Sequence, residues 1–287
     1  MPQKFNSFFN KVEGNEAERC HYPTRLDTYG CGCQHNCGYC YARSLLAFRG
    51  MWNAKAPSAA PYKELIKIIT QKVFPGEVVR LGGMTDCFQP LEKSMKMTYR
   101  TIQLLNRRKV HYLIVTKNDL VAAPEYMAIM DRDLAHIQVS ITSTDSLISK
   151  RLEPGAPVPE ARIKAVETLA AEGFDVSVRL SPFIPEFVNT DIIKAIKCDK
   201  ILVEFLRVNG WIERWLNLLD LNVDLKPYSH FSSGYKHLSL NNKKMLLEKV
   251  ADGFKEVSVC EDVPEHWEYW KNNVNANPDD CCNLKFN

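Results

Sequence analysis

The sequence predicts an α/β protein: a partial (β/α)6 barrel of TIM type with a C-terminal extension. Strand-like and helix-like stretches alternate six times between about residues 24 and 219. The strand-like stretches are near-continuously apolar, as in "VHYLIVT" (110–116), which is the mark of a parallel sheet covered on both faces. Polar, small and metal-capable residues gather where those stretches end, and α/β folds keep their chemistry at strand C-termini. Six units close into a partial barrel, with a flat doubly wound sheet as the rival.

The elements follow in order. "TRLDTY" (24–29) is a short strand, followed by a cysteine-rich loop and a helix from about Tyr39 to Arg49. "PYKELIKIITQKVF" (61–74) has helical spacing with Pro61 at its start, a position proline tolerates. "EVVRLGG" (77–83) is a strand ending in glycines, and "EKSMKMTYRTIQLLNRR" (92–108) is a helix. The strand 110–116 leads to a helix over 123–130, then a strand over 135–142. The helix 159–173 stops at Gly173, a common C-terminal residue. A strand over 174–182, a helix over 190–197 and a strand over 199–208 complete the run, followed by helical residues around Trp211 to Leu219. Beyond about residue 220 the pattern changes to a polar loop, a helix over 241–252 and a short strand over 255–259. Residues 1–220 are therefore read as the barrel, and 221–287 as an extension packed on it.

Composition narrows the class. With 45% hydrophobic and 25% charged residues in a 287-residue chain, a sizeable core is available. No apolar run reaches the roughly 20 residues of a membrane helix, so no membrane partner is expected. The start "MPQKFNSFFNKVEGNE" lacks the apolar centre of a signal peptide. A cytoplasmic address is the expectation. Thiols stay reduced there, so ten cysteines argue for metal or catalysis over disulfides. The net charge of +3 permits a nucleic-acid partner without indicating one.

Four of those cysteines fall within "GCGCQHNCGYCYAR" (30–43). Cys33, Cys37 and Cys40 read C-x3-C-x2-C, a spacing that lets three thiolates converge on one cluster from a loop that turns into a helix. Zinc sites generally need a fourth protein ligand, whereas an iron–sulfur cluster can keep one iron open. Zinc and a purely structural knuckle stay as alternatives.

With Tyr39 before its last cysteine, this motif resembles that of the radical S-adenosylmethionine enzymes. Further blocks, "GGMTDCFQPLEK", "IVTKNDLV", "SITSTDSLISKRLEPGAPVPEAR" and "VSVRLSPFIP", are similar in order to the branch containing spore photoproduct lyase. The resemblance covers roughly residues 24–185 and weakens after 210. It implies a [4Fe–4S] cluster on Cys33, Cys37 and Cys40 and S-adenosylmethionine chelated to the fourth iron. Reductive cleavage of that cofactor would give a radical that abstracts hydrogen from substrate. It further implies Tyr39 near the adenine and Gly82, Gly83, Met84 and Thr85 along the methionine moiety. Lys117 and Arg179 would meet the carboxylate, Ser140 and Thr142 would reach ribose or carboxylate, and a flavodoxin or ferredoxin would be the reductant. The bland readings are surface cations for Lys117 and Arg179, and turns for the glycines, Ser140 and Thr142.

One departure bears on the reaction. The cysteine that returns hydrogen in the lyase aligns with Gly83, and Cys87 follows Thr85-Asp86 instead. Cys87 is thus a shifted candidate catalytic donor, or a buried small residue. Cys260, Cys281 and Cys282, with Cys20 and Cys31, are candidates for an auxiliary iron–sulfur cluster, against free-thiol packing. Cys198 reads as core. Aromatic and basic residues in "RRKVHY" (107–112) and "KPYSHFSSGYKHL" (226–238) can stack on bases and track phosphates; the second also reads as a lid over the barrel mouth. The sequence therefore points to a lyase-like enzyme of nucleic-acid or nucleoside repair or modification. The alternatives are a small-molecule or peptide substrate, or a non-enzymatic metal-binding module.

Overall fold

The computed structural model describes residues 8–13 and 19–286. Strands come in chain order as β1 (Phe9–Lys11), β2 (Thr24–Leu26), the short β3 (Tyr29–Gly30) and β4 (Ser58–Ala59), then β5 (Val78–Leu81) and β6 (His111–Thr116). They continue with β7 (Ala135–Ile141), β8 (Asp175–Phe183), β9 (Lys200–Phe205), the pair β10 (His230–Ser232) and β11 (Tyr235–His237), and β12 (Glu256–Val259). One sheet runs β1-β2-β5-β6-β7-β8-β9-β12. From β2 onward every pairing in it is parallel, and β1 lies antiparallel on the edge.

The pleat decides between barrel and flat sheet. β7 is buried at every position, yet alternate residues differ in kind. Ala135, Ile137, Val139 and Ile141 join the main apolar core, while His136, Gln138 and Ser140 are buried polar residues. β8 repeats this with Val176, Val178 and Leu180 against Ser177, Arg179 and Ser181. Successive side chains of a strand point to opposite faces, so one face packs on helices and the other encloses a lumen. That lumen is polar on these two strands and apolar where Val78, Leu113 and Leu202 pack with Tyr22, Cys282 and Leu284. The structure is the expected α/β partial barrel.

Helix formation follows the sequence signals. The helix Met97–Arg107 buries Met97, Thr98, Thr101, Ile102 and Leu105, the i, i+4 stripe of a helix on a sheet. Each fully buried Ile or Leu of that stripe contributes about 1.5–3 kcal/mol. Proline stands in the first turn of Pro159–Ala171.

Several elements differ from expectation. The strand over 24–29 is split into β2 and β3. The helix over 123–130 is a 3-10 turn at Asp119–Ala122 followed by Pro124–Met127, because Asn118 caps the earlier turn through Leu120 N at 3.0 Å. The loop around 230–237 is a hairpin, β10–β11. A helix at Ser146–Leu152 is capped by Asp145, which accepts from Leu147 N at 2.7 Å and Ile148 N at 3.0 Å. The segment beyond 220 does more than pack on the barrel: β12 pairs parallel with β9, from Glu256↔Lys200 to Val259↔Val203. The tail then crosses the strand N-termini, where Lys200 Nζ and Asn283 O pair and Lys285 N donates to Asp175 Oδ2 at 2.9 Å. Phe286 lies against His111 and His136, the first and second residues of β6 and β7.

Candidate active site

A cavity of about 470 Å³ opens at the strand C-termini and runs into the lumen. The loop between β3 and the helix Tyr41–Phe48 brings Cys33, Cys37 and Cys40 to its wall. Turn hydrogen bonds shape this loop, from Asn36 N to Cys33 O at 3.1 Å and from Ser44 N to Cys40 O at 3.3 Å. The block "RLEPGAP" holds it from outside. Gly38 N donates to Leu152 O at 2.8 Å, and Gly155 N donates to His35 O at 3.2 Å. A Cβ at Gly155 would stand 1.8 Å from Gln34 O, so only glycine lets the two segments meet.

Burial pushes the Cys33 thiol up to about 12, helped by the Asp86 carboxylate, and raises Cys37 and Cys40 as well. Metal coordination is what holds such thiols as thiolates. His35 of the same loop is turned to Asp86, with Nδ1 3.2 Å from Oδ2. Three soft donors facing one cavity, with the histidine engaged elsewhere, fit a cluster that leaves one metal position open.

Asp86 joins the next two strand ends. It accepts from Thr116 Oγ1 and Lys117 N, each at 2.7 Å. Burial raises its pKa, but His35 and these donors outweigh burial and hold it below the usual value. The adjacent Gly82–Thr85 stretch lines the cavity. Gly82 has φ +84, a left-handed conformation that favours glycine. Asp27, at the end of β2, anchors this stretch by accepting from Met84 N at 3.0 Å and Thr85 N at 3.2 Å.

Lys117 lies at the cavity with its Nζ 3.4 Å from Ser181 O and 3.9 Å from Glu153 Oε1. Its ammonium stands 5.6 Å from the Tyr39 ring centroid. Tyr39 donates to Glu153, which pairs with Arg162 at 2.5 Å. Burial raises the Glu153 pKa, yet Arg162 and Lys117 keep it depressed. Ser140 also lines the cavity. Thr142 does not; it is fully buried, 3.1 Å from Tyr39 Oη and bonded to Ser181 O at 3.0 Å. Arg179 lines the lumen, where its guanidinium is bound to Gln138 Oε1 at 2.6 Å and Glu204 Oε2 at 2.5 Å.

Cys87 takes the second of its two readings, the buried small residue. Asp86 faces the cavity and the next residue faces away, so Cys87 is fully buried in the main apolar core, outside the lining. Cys31 likewise belongs to that core, and Cys198 donates to Val176 O at 3.4 Å, as a core thiol should. Glu204 and Arg207, at the end of the last barrel strand where the sequence gathers polar residues, also reach the cavity, as do Arg25, Arg80 and Tyr41, which no sequence motif marked. Arg25, Arg80 and Glu204 are polar residues at inward positions of strands, a signal legible once the pleat phase is known.

The model of the Radical SAM superfamily matches residues 28–198, more than half of the chain. The chain belongs to the radical SAM superfamily. Membership implies a [4Fe–4S] cluster and S-adenosylmethionine, and the donor set described above fits both. Uncharacterized protein MJ0683 of Methanocaldococcus jannaschii is 30% identical over 170 residues, which span 56% of this chain and 61% of that protein. Among solved structures, spore photoproduct lyase with bound AdoMet and dinucleoside spore photoproduct matches with a TM-score of 0.61 at 14% identity. That match covers 89% of this chain and 79% of the lyase. SuiB of Streptococcus suis, bound to its precursor peptide SuiA, matches with a TM-score of 0.54 at 15% identity, over 84% of this chain and 49% of SuiB. These likenesses establish the radical SAM fold. No helix among the described residues is long and apolar enough to cross a membrane.

Proposed function

We propose that this chain is an S-adenosylmethionine-dependent enzyme that abstracts a hydrogen atom from a nucleic-acid or nucleoside substrate, in repair or modification. The observation that carries the reading is the convergence of Cys33, Cys37 and Cys40 with the Gly82–Thr85 stretch, Lys117 and Tyr39 on one cavity. Cys33, Cys37 and Cys40 would hold the [4Fe–4S] cluster. When bound, the cluster supplies the electron that splits the sulfonium of S-adenosylmethionine and so creates the hydrogen-abstracting radical; a flavodoxin- or ferredoxin-type donor would replenish it.

The chain's own residues orient and shield. Bare backbone at Gly82 and Gly83 allows close approach of the methionine amino group, and Asp27 keeps that backbone in place. Lys117 is the cation placed to meet the carboxylate, charge-assisted as such pairs are, and Ser140 offers a hydroxyl on the same cavity. Arg179 lies on the same lumen wall, but its bonds to Glu204 and Gln138 give it a supporting part. Tyr39 stays protonated because burial, with Cys37 and Glu153 nearby, raises its pKa well up. It therefore donates to Glu153 and presents its ring to the cavity.

The substrate class rests on the outer wall. Arg207 stands 5.4 Å from the Tyr41 ring and 5.5 Å from the Tyr235 ring, and Tyr235 comes from the β10–β11 hairpin, whose Ser233 and His237 also line the cavity. Guanidinium and aromatic faces of this kind stack on bases. With Gly83 in place of the lyase cysteine and Cys87 in the core, the reaction is assigned no hydrogen return from either position.

The test is anaerobic. Protein reconstituted with iron and sulfide is mixed with dithionite and S-adenosylmethionine, and 5′-deoxyadenosine is measured by mass spectrometry against Cys37→Ala. Oligonucleotides should stimulate its formation, less so at high salt. Stimulation by peptides alone would overturn the substrate class, and no product with an intact cluster under any addition would overturn the chemistry.

A further inference from the structure

Cys20, Cys260, Cys281 and Cys282 are scattered over the sequence, yet all four line the lumen of the same cavity. Cys260 follows β12, Cys20 precedes β2, and the tail carries the adjacent pair back between them. Cys281 interacts with both Cys260 and Cys282, and Cys20 with Cys260 and Cys282. We propose that these four thiols ligate a second iron–sulfur cluster inside the barrel, deeper than the site of Cys33, Cys37 and Cys40.

The segments that carry the thiols are built to stay there. Tyr22 Oη donates to Asp280 Oδ2 at 2.5 Å, tying the Cys20 segment to the tail. The same carboxylate accepts from Cys282 N at 2.9 Å and Leu284 N at 3.0 Å, folding the Cys281-Cys282 pair into a turn. Cys260 N donates to Val203 O at 2.9 Å, and Val259 N to Asn275 Oδ1 at 2.8 Å, which fixes the end of β12 in the sheet. Adjacent cysteines seldom serve one metal, but this turn puts both on the cavity wall.

The surroundings suit an anionic centre. Arg80 faces Cys20 and Cys282, and Arg179 faces Cys260 and Cys282. Arg80 Nε is buried without a hydrogen-bond partner, an expensive condition that a sulfur-rich anion would relieve.

The experiment uses the full chain carrying Cys33→Ala, Cys37→Ala and Cys40→Ala together, reconstituted anaerobically with iron and sulfide. Iron, sulfide and zinc are quantified and the reduced protein is examined by electron paramagnetic resonance. The expected result is about half the iron and sulfide of the unsubstituted chain, with one cluster signal in place of two. Adding Cys260→Ser and Cys281→Ser should remove both metal and signal. If that variant does not fold by circular dichroism, the triple variant alone decides. A triple variant without iron and sulfide, one that takes zinc in preference, or one whose four lumen thiols are found paired as disulfides would overturn the proposal. The readout is metal content, so failure of the hydrogen-abstraction reading leaves it standing, and the reverse holds too.

Discussion

Asp27 links stability to the cavity loop, and its replacement by Asn gives a quantitative test. Its carboxylate is buried and holds Met84 N and Thr85 N. Burial is the largest influence and raises its pKa from 3.8 to about 6, against the pull of the backbone donors and Arg25. A carboxyl whose folded pKa exceeds its unfolded value binds its proton more tightly in the folded state. Between about pH 4 and 6 the folded chain therefore holds more protons, and stability falls as pH rises through that window. A displacement of that size corresponds to about 3 kcal/mol, fully lost above the folded pKa. Asp27→Asn keeps a carbonyl oxygen for the two amides and removes the ionisation. The stability of D27N relative to the unsubstituted protein should thus climb by about 3 kcal/mol from pH 4 to pH 7. Urea unfolding of metal-free, reduced protein, followed by the fluorescence of its five tryptophans, measures this directly. A difference that stays flat across the pH range would refute the argument.

Three further outcomes are expected. Gly155→Ala forces a methyl group into Gln34 O and should displace the cysteine loop. It is expected to lower stability by about 1–3 kcal/mol and to reduce iron bound per chain at matched reconstitution; unchanged iron would show that the loop tolerates the shift. Glu92 accepts from Tyr29 Oη, Tyr126 Oη at 2.5 Å, and the backbone N–H groups of Thr98 and Tyr99 at 2.9 Å each. An amide in its place opposes donors with a donor, so Glu92→Gln should cost about 3–5 kcal/mol in urea unfolding, and a loss under 1 kcal/mol would contradict the network. Arg162→Met leaves Glu153 buried without its guanidinium and should cost about 3–5 kcal/mol. Adding Glu153→Gln should restore part of that; a strictly additive double variant would show that the pair does not act as a unit.

Local chemistry made much of this site legible. C-x3-C-x2-C marks three thiols that a tight eight-residue loop can aim at one centre, a spacing read directly from the chain. The strand ends at Gly82–Thr85, Lys117 and Ser140 were legible because near-continuous apolar runs betray a parallel sheet, and a parallel sheet fixes which ends meet. Cys87 was not, since neighbouring residues in a turn face opposite ways and sequence alone does not say which one meets the cavity. The helix at Ser146–Leu152 escaped because its seven residues carry too little periodicity, and its start depends on the Asp145 cap.

By itself, then, the sequence determined the α/β barrel class and the cluster motif. Both rest on patterns within about ten residues, which hydrophobic periodicity and ligand spacing fully express. Only the tertiary structure decided the phase of each strand, and with it the polar lumen of Gln138, Ser140, Arg179 and Glu204. It alone carried β12 into the sheet, threaded the tail across the barrel floor, and set Cys281 and Cys282 beside Cys20. Those contacts join residues as many as 258 apart, as between Tyr22 and Asp280. Pairing at that range is fixed by which surfaces can be buried together, and no local pattern records it.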